Sequence, residues 1–174
     1  QCYFDDAKTT KSFEKLIHDK DYNFSRYNFF LANYLLFNNK TIEAKKIIKN
    51  SRKKYNSNLL IKQTESFFLN HEYEKVKNFF NCKNPKDSLG EFFYVIANLH
   101  SSENDYQLSN FYMKISLFLN NKFLMNKALL AENYYYQKKN GLSKNIYQSL
   151  KSIGSEYSWH ASKNIATILL DARG

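Results

Sequence analysis

The sequence predicts an all-α protein built from stacked antiparallel helix pairs. Helix breakers are scarce, since the 174 residues include one proline and four glycines. Hydrophobic residues make up 43% of the chain, which is enough for a buried core over its whole length. Small residues inside apolar clusters recur at a nearly constant interval, and this is the pattern of a two-helix repeat. The many turns of a β-sandwich would need more glycine and proline than this chain contains.

The repeat is defined by pairs of small or aliphatic residues that stand twelve positions apart. We call the first member of each pair an anchor, and the anchors follow one another at intervals of 32, 33, 34 and 35 residues. Larger side chains lie three or four residues from each anchor and therefore share its helix face. Close contacts between paired helices are expected at these positions. The pairs are Ala32 and Ala44, Thr64 and Val76, Ala97 and Ser109, and Ala131 and Ser143, with Ala166 as an unpaired fifth anchor.

An apolar motif recurs around the anchors, and two copies of it are Phe93-x-x-Ile96-Ala97-x-x-His100 and Lys127-x-x-Leu130-Ala131-x-x-Tyr134. This motif resembles the tetratricopeptide repeat (TPR), a helix-turn-helix unit of about 34 residues. The resemblance covers roughly residues 25–174. The sequence is similar to repeat proteins of α-proteobacteria in the stretches 109–119 and 157–174. The resemblance implies a right-handed α-solenoid of about four and a half repeats.

The register predicts one domain over residues 1–174, because no proline- or serine-rich linker divides the chain. Repeats are expected near 25–56, 57–89, 90–123 and 124–157, with a partial repeat at 158–174 and the end of a preceding unit at 1–24. Helices are expected near 11–20, 25–37, 41–54, 57–69, 72–81, 88–101, 105–119, 123–138, 142–152 and 158–172. Pro85 is expected in the longest connection, and Asn140 and Gly141 in a turn.

The last predicted helix has an apolar face that suggests a further partner. Ile165 and Leu169 are expected to cover the preceding hairpin, which leaves Ile168 and Leu170 exposed. A terminal repeat normally presents a polar outer face. We therefore expect a segment of a longer repeat protein, and self-association through the 158–174 helix.

Residues suited to catalysis or metal binding lack the necessary spacing. The four histidines are isolated, and Cys2 and Cys82 are too far apart to indicate a disulfide framework or a metal cluster. Phosphate-binding loops and hydrolase motifs are absent from the sequence. The sequence therefore predicts no enzyme, no cofactor and no metal. It also lacks an apolar run of the ~18 residues needed to span a membrane, and the bacterial resemblance implies a soluble protein of the cytoplasm or periplasm.

In TPR proteins, partner peptides lie in the concave groove that the first helices of the repeats line. The residue after each anchor is expected to face that groove. Tyr135 and Tyr136 are also free to face a ligand, because Tyr134 fills a core position. The TPR resemblance matches Asn33 and Asn98 to a carboxylate-binding site, but only Lys163 supplies an accompanying lysine, so a mixed groove is expected. The groove candidates are Asn33, Glu65, Asn98, Glu132, Tyr135, Lys163 and Thr167.

A basic stripe on the third predicted helix is a second candidate surface, formed by Lys45, Lys49, Arg52 and Lys53. The net charge of +10 favours acidic partners, whether proteins, nucleic acids or anionic lipids. Two interpretations of the stripe stay open: a contact for phosphates, or a solvated face near a helix C-terminus. The leading hypothesis is a non-catalytic scaffold for a partner protein or peptide, and the alternative is a basic α-solenoid that binds nucleic acid or an anionic surface.

Overall fold

The computed structural model describes residues 2–4, 8–17 and 25–172, and all regular structure within them is helical. The all-α prediction is therefore confirmed for these residues. Short 3-10 segments occur at Cys2–Phe4 and Leu124–Asn126. The α-helices are α1 (Thr9–Ile17), α2 (Ser25–Phe37), α3 (Thr41–Lys54), α4 (Leu59–Leu69), α5 (Tyr73–Phe79), α6 (Pro85–Ser102), α7 (Tyr106–Leu119), α8 (Lys127–Tyr136), α9 (Asn140–Leu150) and α10 (Ser155–Asp171).

Helix boundaries agree with the sequence prediction to within a few residues, and α2 and α3 match it fully. The predicted helix at 11–20 includes residues 18–20, which lie outside the described residues. Pro85 is the first residue of α6 and not part of a loop, because its fixed φ and missing N–H suit a first helical turn. Asn140 and Gly141, predicted as a turn, form the first turn of α9.

The chain divides into two compact units, Gln1–Pro85 and Lys86–Gly174. In the first unit, α2 packs against α1, α3, α4 and α5. In the second unit, α8 packs against α7 and α9, and α9 packs against α10. A cluster of Ala97, Met113, Leu130 and Tyr134 joins α6 to α7 and α8. The single domain over 1–174 and the repeat boundaries stay predictions.

The four anchor pairs lie at close helix contacts, as predicted, and all eight residues have zero solvent exposure. In the second unit each pair is also joined by a hydrogen bond. Ser109 Oγ donates to Ala97 O, and Ser143 Oγ donates to Ala131 O, both at 2.7 Å. A short hydroxyl side chain reaches a carbonyl on the neighbouring helix only where the two backbones approach closely. Small residues at the anchors make that approach possible.

The first helix of each hairpin ends in the same left-handed turn. The residue seven positions after each anchor has φ between 58° and 62°, and these residues are Asn39, His71, Asn104 and Lys138. The N–H of the following residue bonds to the carbonyl five positions back, as from Lys40 to Leu35 at 2.9 Å and from Lys139 to Tyr134 at 2.8 Å. This bond satisfies a carbonyl at the helix end. The same helix-ending turn thus recurs at the interval of the anchors.

The position predicted for the fifth anchor is wrong. Ala161 is fully buried, whereas Ala166 is exposed. The contact face of α10 begins at Tyr157 and continues through Ala161 and Ile165 at helical spacing. The interval from Ala131 to its successor is therefore shorter than the preceding intervals, and the lengthening trend of the repeat does not extend to α10.

The exposed residues of α10 differ from the prediction for the same reason. Ile168 was expected to be exposed but is buried at 3% exposure. Leu169 was expected to cover the preceding hairpin but is 48% exposed. Leu170 is 68% exposed, as predicted. Leu169 and Leu170 are therefore exposed apolar residues near the end of α10, and Trp159 is a further one near its start, at 66% exposure.

A disulfide joins Cys2 to Cys82, whose Cα atoms are 5.8 Å apart. The sequence predicted no disulfide framework because 80 residues separate the two cysteines. Distance along the chain does not limit distance in the fold, however, and both residues belong to the first unit. The bond holds the segment 2–4 against the connection between α5 and α6. In the chain-entropy model, closing a loop of this length stabilises the folded state by about 4–5 kcal/mol.

Replacing buried small residues by leucine tests the helix contacts. Ala97→Leu, Ala131→Leu and Ala161→Leu are each expected to lower the free energy of unfolding by about 1–3 kcal/mol, because a larger side chain must enter a packed contact. The matched control Ala166→Leu should change it by less than about 0.5 kcal/mol. Urea unfolding followed by circular dichroism measures all four. Destabilisation by Ala166→Leu but not by Ala161→Leu would show that Ala166, as first predicted, is the fifth anchor.

The left-handed turn after α8 gives a second prediction. Lys138→Gly is expected to raise the free energy of unfolding by about 0.5–1 kcal/mol, because glycine adopts positive φ without the strain that a β-carbon causes. Gln148→Gly, at an exposed site inside α9, should instead lower it by about the same amount. The same urea titrations give both values. A loss of stability in both variants would contradict the left-handed conformation at residue 138.

Candidate functional site

Two of the predicted groove residues, Asn98 and Glu132, line the same open pocket in the second unit. Its volume is about 430 Å³. It lies where the end of α6, the following turn and the start of α7 meet α8. The lining residues are Asn98, Ser101, Ser102, Asn104, Tyr106, Leu129, Glu132 and Tyr136. Neither lysine nor arginine is among them.

Two tyrosine rings in the lining of this pocket stack on one another. The rings of Tyr106 and Tyr136 are stacked, with centroids 5.4 Å apart and planes inclined by 18°. Tyr136 is 51% exposed, so part of its ring remains open to a ligand. Its hydroxyl donates a long hydrogen bond of 3.5 Å to Glu132 Oε1. The Glu132 carboxylate, helped by burial, raises the pKa of Tyr136, which indicates a negative potential at this end of the pocket.

The hydroxyl groups of the pocket use their hydrogens in bonds within the protein. Ser101 Oγ donates to Asn133 Oδ1, and Ser102 Oγ donates to the carbonyl of Leu99, both at 2.6 Å. Tyr106 likewise donates to Asn104 Oδ1 at 2.7 Å. A hydroxyl has one hydrogen and two lone pairs, so these groups can offer only lone pairs to a ligand. With the Glu132 carboxylate they make the pocket rich in hydrogen-bond acceptors.

The orientation of Ser101 is fixed by a buried network that the sequence analysis missed. Asn133 has zero exposure, and its Nδ2 donates to Ser109 Oγ at 2.7 Å and to Asn110 Oδ1 at 3.0 Å. Asn110 Nδ2 in turn donates to Gln137 Oε1 at 3.3 Å. The network links α6, α7 and α8 beneath the pocket. An asparagine two positions after an anchor was the only sequence signal for it.

Asn33 does not face an open groove. It is 1% exposed, and its Nδ2 donates to the carbonyl of Val76 at 2.8 Å. This bond holds α2 against α5 inside the first unit and satisfies both buried groups. Asn33 is therefore a structural residue here, in contrast to the exposed Asn98 at the same position of a later hairpin.

Glu65 lies beside the basic stripe, which it partly neutralises. Its Oε2 is 3.3 Å from Arg52 Nε, and each side chain is 31% exposed. Arg52 also donates to the carbonyl of Asn56 at 2.7 Å. Lys45, Lys49 and Lys53 are exposed on α3. The predicted stripe therefore presents three lysines, because Arg52 is directed towards Glu65.

The remaining groove candidates lie apart from the pocket lining. Tyr135 donates from its hydroxyl to Asp171 Oδ2 at 2.6 Å, and this hydrogen bond raises the pKa of Tyr135. Lys163 Nζ lies 5.7 Å from the centroid of the Trp159 ring. Thr167 Oγ1 donates to the carbonyl of Lys163 at 3.2 Å. Tyr135 thus links α8 to α10, and Lys163 and Thr167 are exposed on α10.

Within residues 2–4, 8–17 and 25–172, His, Cys, Asp and Glu side chains do not form a group of three or more that could hold a metal ion. Among these same residues, none of the helices has the length and apolar character needed to cross a membrane. The chain matches no protein-family model, no curated protein and no solved structure. The pocket of the second unit is therefore the main structural guide to function.

Removing the buried amide beneath the pocket should destabilise the protein. Asn133→Ala is expected to lower the free energy of unfolding by about 1–3 kcal/mol, because the partly buried hydroxyl of Ser101 and the buried groups of Ser109 and Asn110 lose their partner. Asn145→Ala, on the exposed side of α9, is the matched control and should shift it by no more than about 0.5 kcal/mol. Urea unfolding gives both values. Equal free energies of unfolding for the two variants would show that the hydrogen-bond network does not stabilise the fold.

Proposed function

We propose that this chain is a non-catalytic, TPR-like scaffold that binds a partner peptide or helix in the groove of a right-handed α-solenoid. The observation that carries the proposal is the pocket lined by Asn98 and Glu132. Both follow an anchor directly, and they come from the first helices of two successive hairpins. The repeated left-handed turns and the hydrogen bonds at the anchors support the register on which the TPR resemblance rests.

The chemistry of the pocket suits a polypeptide ligand. Tyrosine rings provide apolar contact area with little loss of side-chain freedom, and they favour peptide side chains with flat or aliphatic surfaces. The acceptors around Ser101 and Glu132 can receive N–H groups from a peptide backbone or side chain. An open pocket fits one part of an extended ligand better than a small molecule, which is usually enclosed.

Binding of nucleic acid or an anionic surface is the second candidate function. The exposed lysines 45, 49 and 53 on α3 favour it, together with the net charge of +10. Phosphate would be repelled at the pocket by Glu132, so such binding would use α3 instead. Affinity for a phosphate backbone falls steeply with salt, whereas binding in an aromatic pocket depends on salt only weakly.

The disulfide between Cys2 and Cys82 supports one of the two predicted compartments. Disulfides persist in oxidising environments such as the bacterial periplasm and are rare in the cytosol, where thiols are kept reduced. Of the bacterial cytoplasm and periplasm, we therefore favour the periplasm.

A peptide array followed by affinity measurements tests the function. Peptides that bind the full chain on the array are labelled, and their dissociation constants are measured by fluorescence anisotropy. The double variant Asn98→Ala, Tyr136→Ala is expected to weaken binding about tenfold or more, because it removes a hydrogen-bonding group and an aromatic contact. Lys45→Ala with Lys49→Ala is the control on α3 and should leave peptide affinity unchanged.

The same proteins are also titrated with a labelled single-stranded oligonucleotide over a range of salt concentrations. Oligonucleotide binding that falls steeply with salt and is lost in the α3 variant, in the absence of any peptide binding, would favour the second candidate. Loss of peptide binding only in the pocket variant would support the first.

A further inference from the structure

We propose that the pocket receives a basic side chain of the partner, with a guanidinium group stacked on Tyr136 and paired with Glu132. The inference rests on the proposed peptide-binding function and specifies which residue of the peptide the pocket selects. It differs from the carboxylate-binding mode that the TPR resemblance suggested for Asn98, because it assigns a cation to the pocket and not an anion.

The first support is the electrostatic state of Glu132. The side chain is exposed on α8, and within the described residues it forms no ion pair with lysine, arginine or histidine. Its contact with the Tyr136 hydroxyl, at 3.5 Å, is at the limit of hydrogen-bonding distance. This carboxylate is therefore available to a cation from outside.

The second support is the direction of the hydrogen bonds around the pocket. Ser101, Ser102 and Tyr106 all direct their hydrogens to acceptors in the protein, at 2.6, 2.6 and 2.7 Å respectively. A ligand with many donors and no acceptors matches such a lining. Guanidinium has five N–H donors in a planar arrangement, and it can bind a carboxylate through two parallel hydrogen bonds. A carboxylate ligand would find only the Asn98 and Asn104 amides as side-chain donors in this lining.

The third support is the arrangement of α8. Glu132 and Tyr136 are four residues apart, so the carboxylate and the aromatic ring are neighbours on one helix face. A guanidinium lying on the exposed part of the Tyr136 ring would gain a cation–π contact while pairing with Glu132. Leu129 lines the same pocket one helical turn before Glu132 and offers apolar contact for the methylene groups of the side chain.

Small blocked amino acids provide the direct test. The amides of N-acetyl-arginine, N-acetyl-lysine and N-acetyl-citrulline are titrated into the full chain, and their dissociation constants are measured by NMR from the shifts of backbone amides around the pocket. Citrulline keeps the shape of arginine but lacks its charge. The arginine probe is expected to bind about fivefold more tightly than the citrulline probe, which is the size of an exposed ion pair with a cation–π contact. The affinity of the lysine probe is expected to lie between those of the other two.

Two variants that each remove one negative charge test whether the arginine probe binds specifically in the pocket or is attracted by any exposed carboxylate. Glu132→Gln should abolish the preference for arginine over citrulline. Glu103→Gln, in the exposed turn between α6 and α7 but outside the pocket lining, should leave it unchanged. Equal effects of the two variants would overturn the proposal, as would tighter binding of lysine or citrulline than of arginine.

The result is distinguishable from failure of the peptide-binding function. Array peptides that bind the wild type equally well after arginine is replaced by citrulline, and bind Glu132→Gln unchanged, would overturn the cation pocket but leave peptide binding intact. A preference for the arginine probe that depends on Glu132, with no peptide bound on the array, would support the cation pocket and overturn the peptide-binding function.

Discussion

Close approach of paired helices at the anchors is the constraint from which the rest of the second unit follows. Ala97 and Ala131 are fully buried, and the hydroxyls of Ser109 and Ser143 bond to their carbonyls across the helix contact. These bonds set how α6 lies along α7 and how α8 lies along α9. The connection between the helices of each hairpin must then be short, and the chain turns through one residue with positive φ.

The pocket depends on the same contact through Asn133. Ser109 donates to Ala97 and accepts from Asn133, so one hydroxyl connects the anchor to the buried network. Asn133 accepts the hydrogen of Ser101, which leaves only lone pairs of that serine for the pocket. The acceptor character of the pocket is thus a consequence of how the helices pack beneath it. Sequence alone places Asn98 and Glu132 near a common surface but does not reveal the direction of these hydrogen bonds.

Local sequence patterns predicted the helices and the anchors because helical period and residue size act over short distances. Long-range features were harder to predict. Asn33 and Asn98 each follow an anchor directly, yet Asn33 is buried against Val76 whereas Asn98 is exposed in the pocket. A residue next to an anchor points to the edge of the contact between the paired helices. Its burial therefore depends on which other helices pack at that edge. The same limit explains why Ala161 was missed: the start of α10 shifted the contact face relative to the repeat interval.

The bond between Cys2 and Cys82 makes nearly the whole first unit a closed covalent ring. A protease that cuts one peptide bond inside this ring opens the backbone but releases no fragment, because both new ends stay attached through the disulfide. The cut protein keeps its mass, apart from one added water, until a reductant is present. Stretching the chain from its two ends also cannot extend the residues enclosed by the ring. The first unit is therefore protected against loss of its segments by connectivity, independently of how tightly its helices pack.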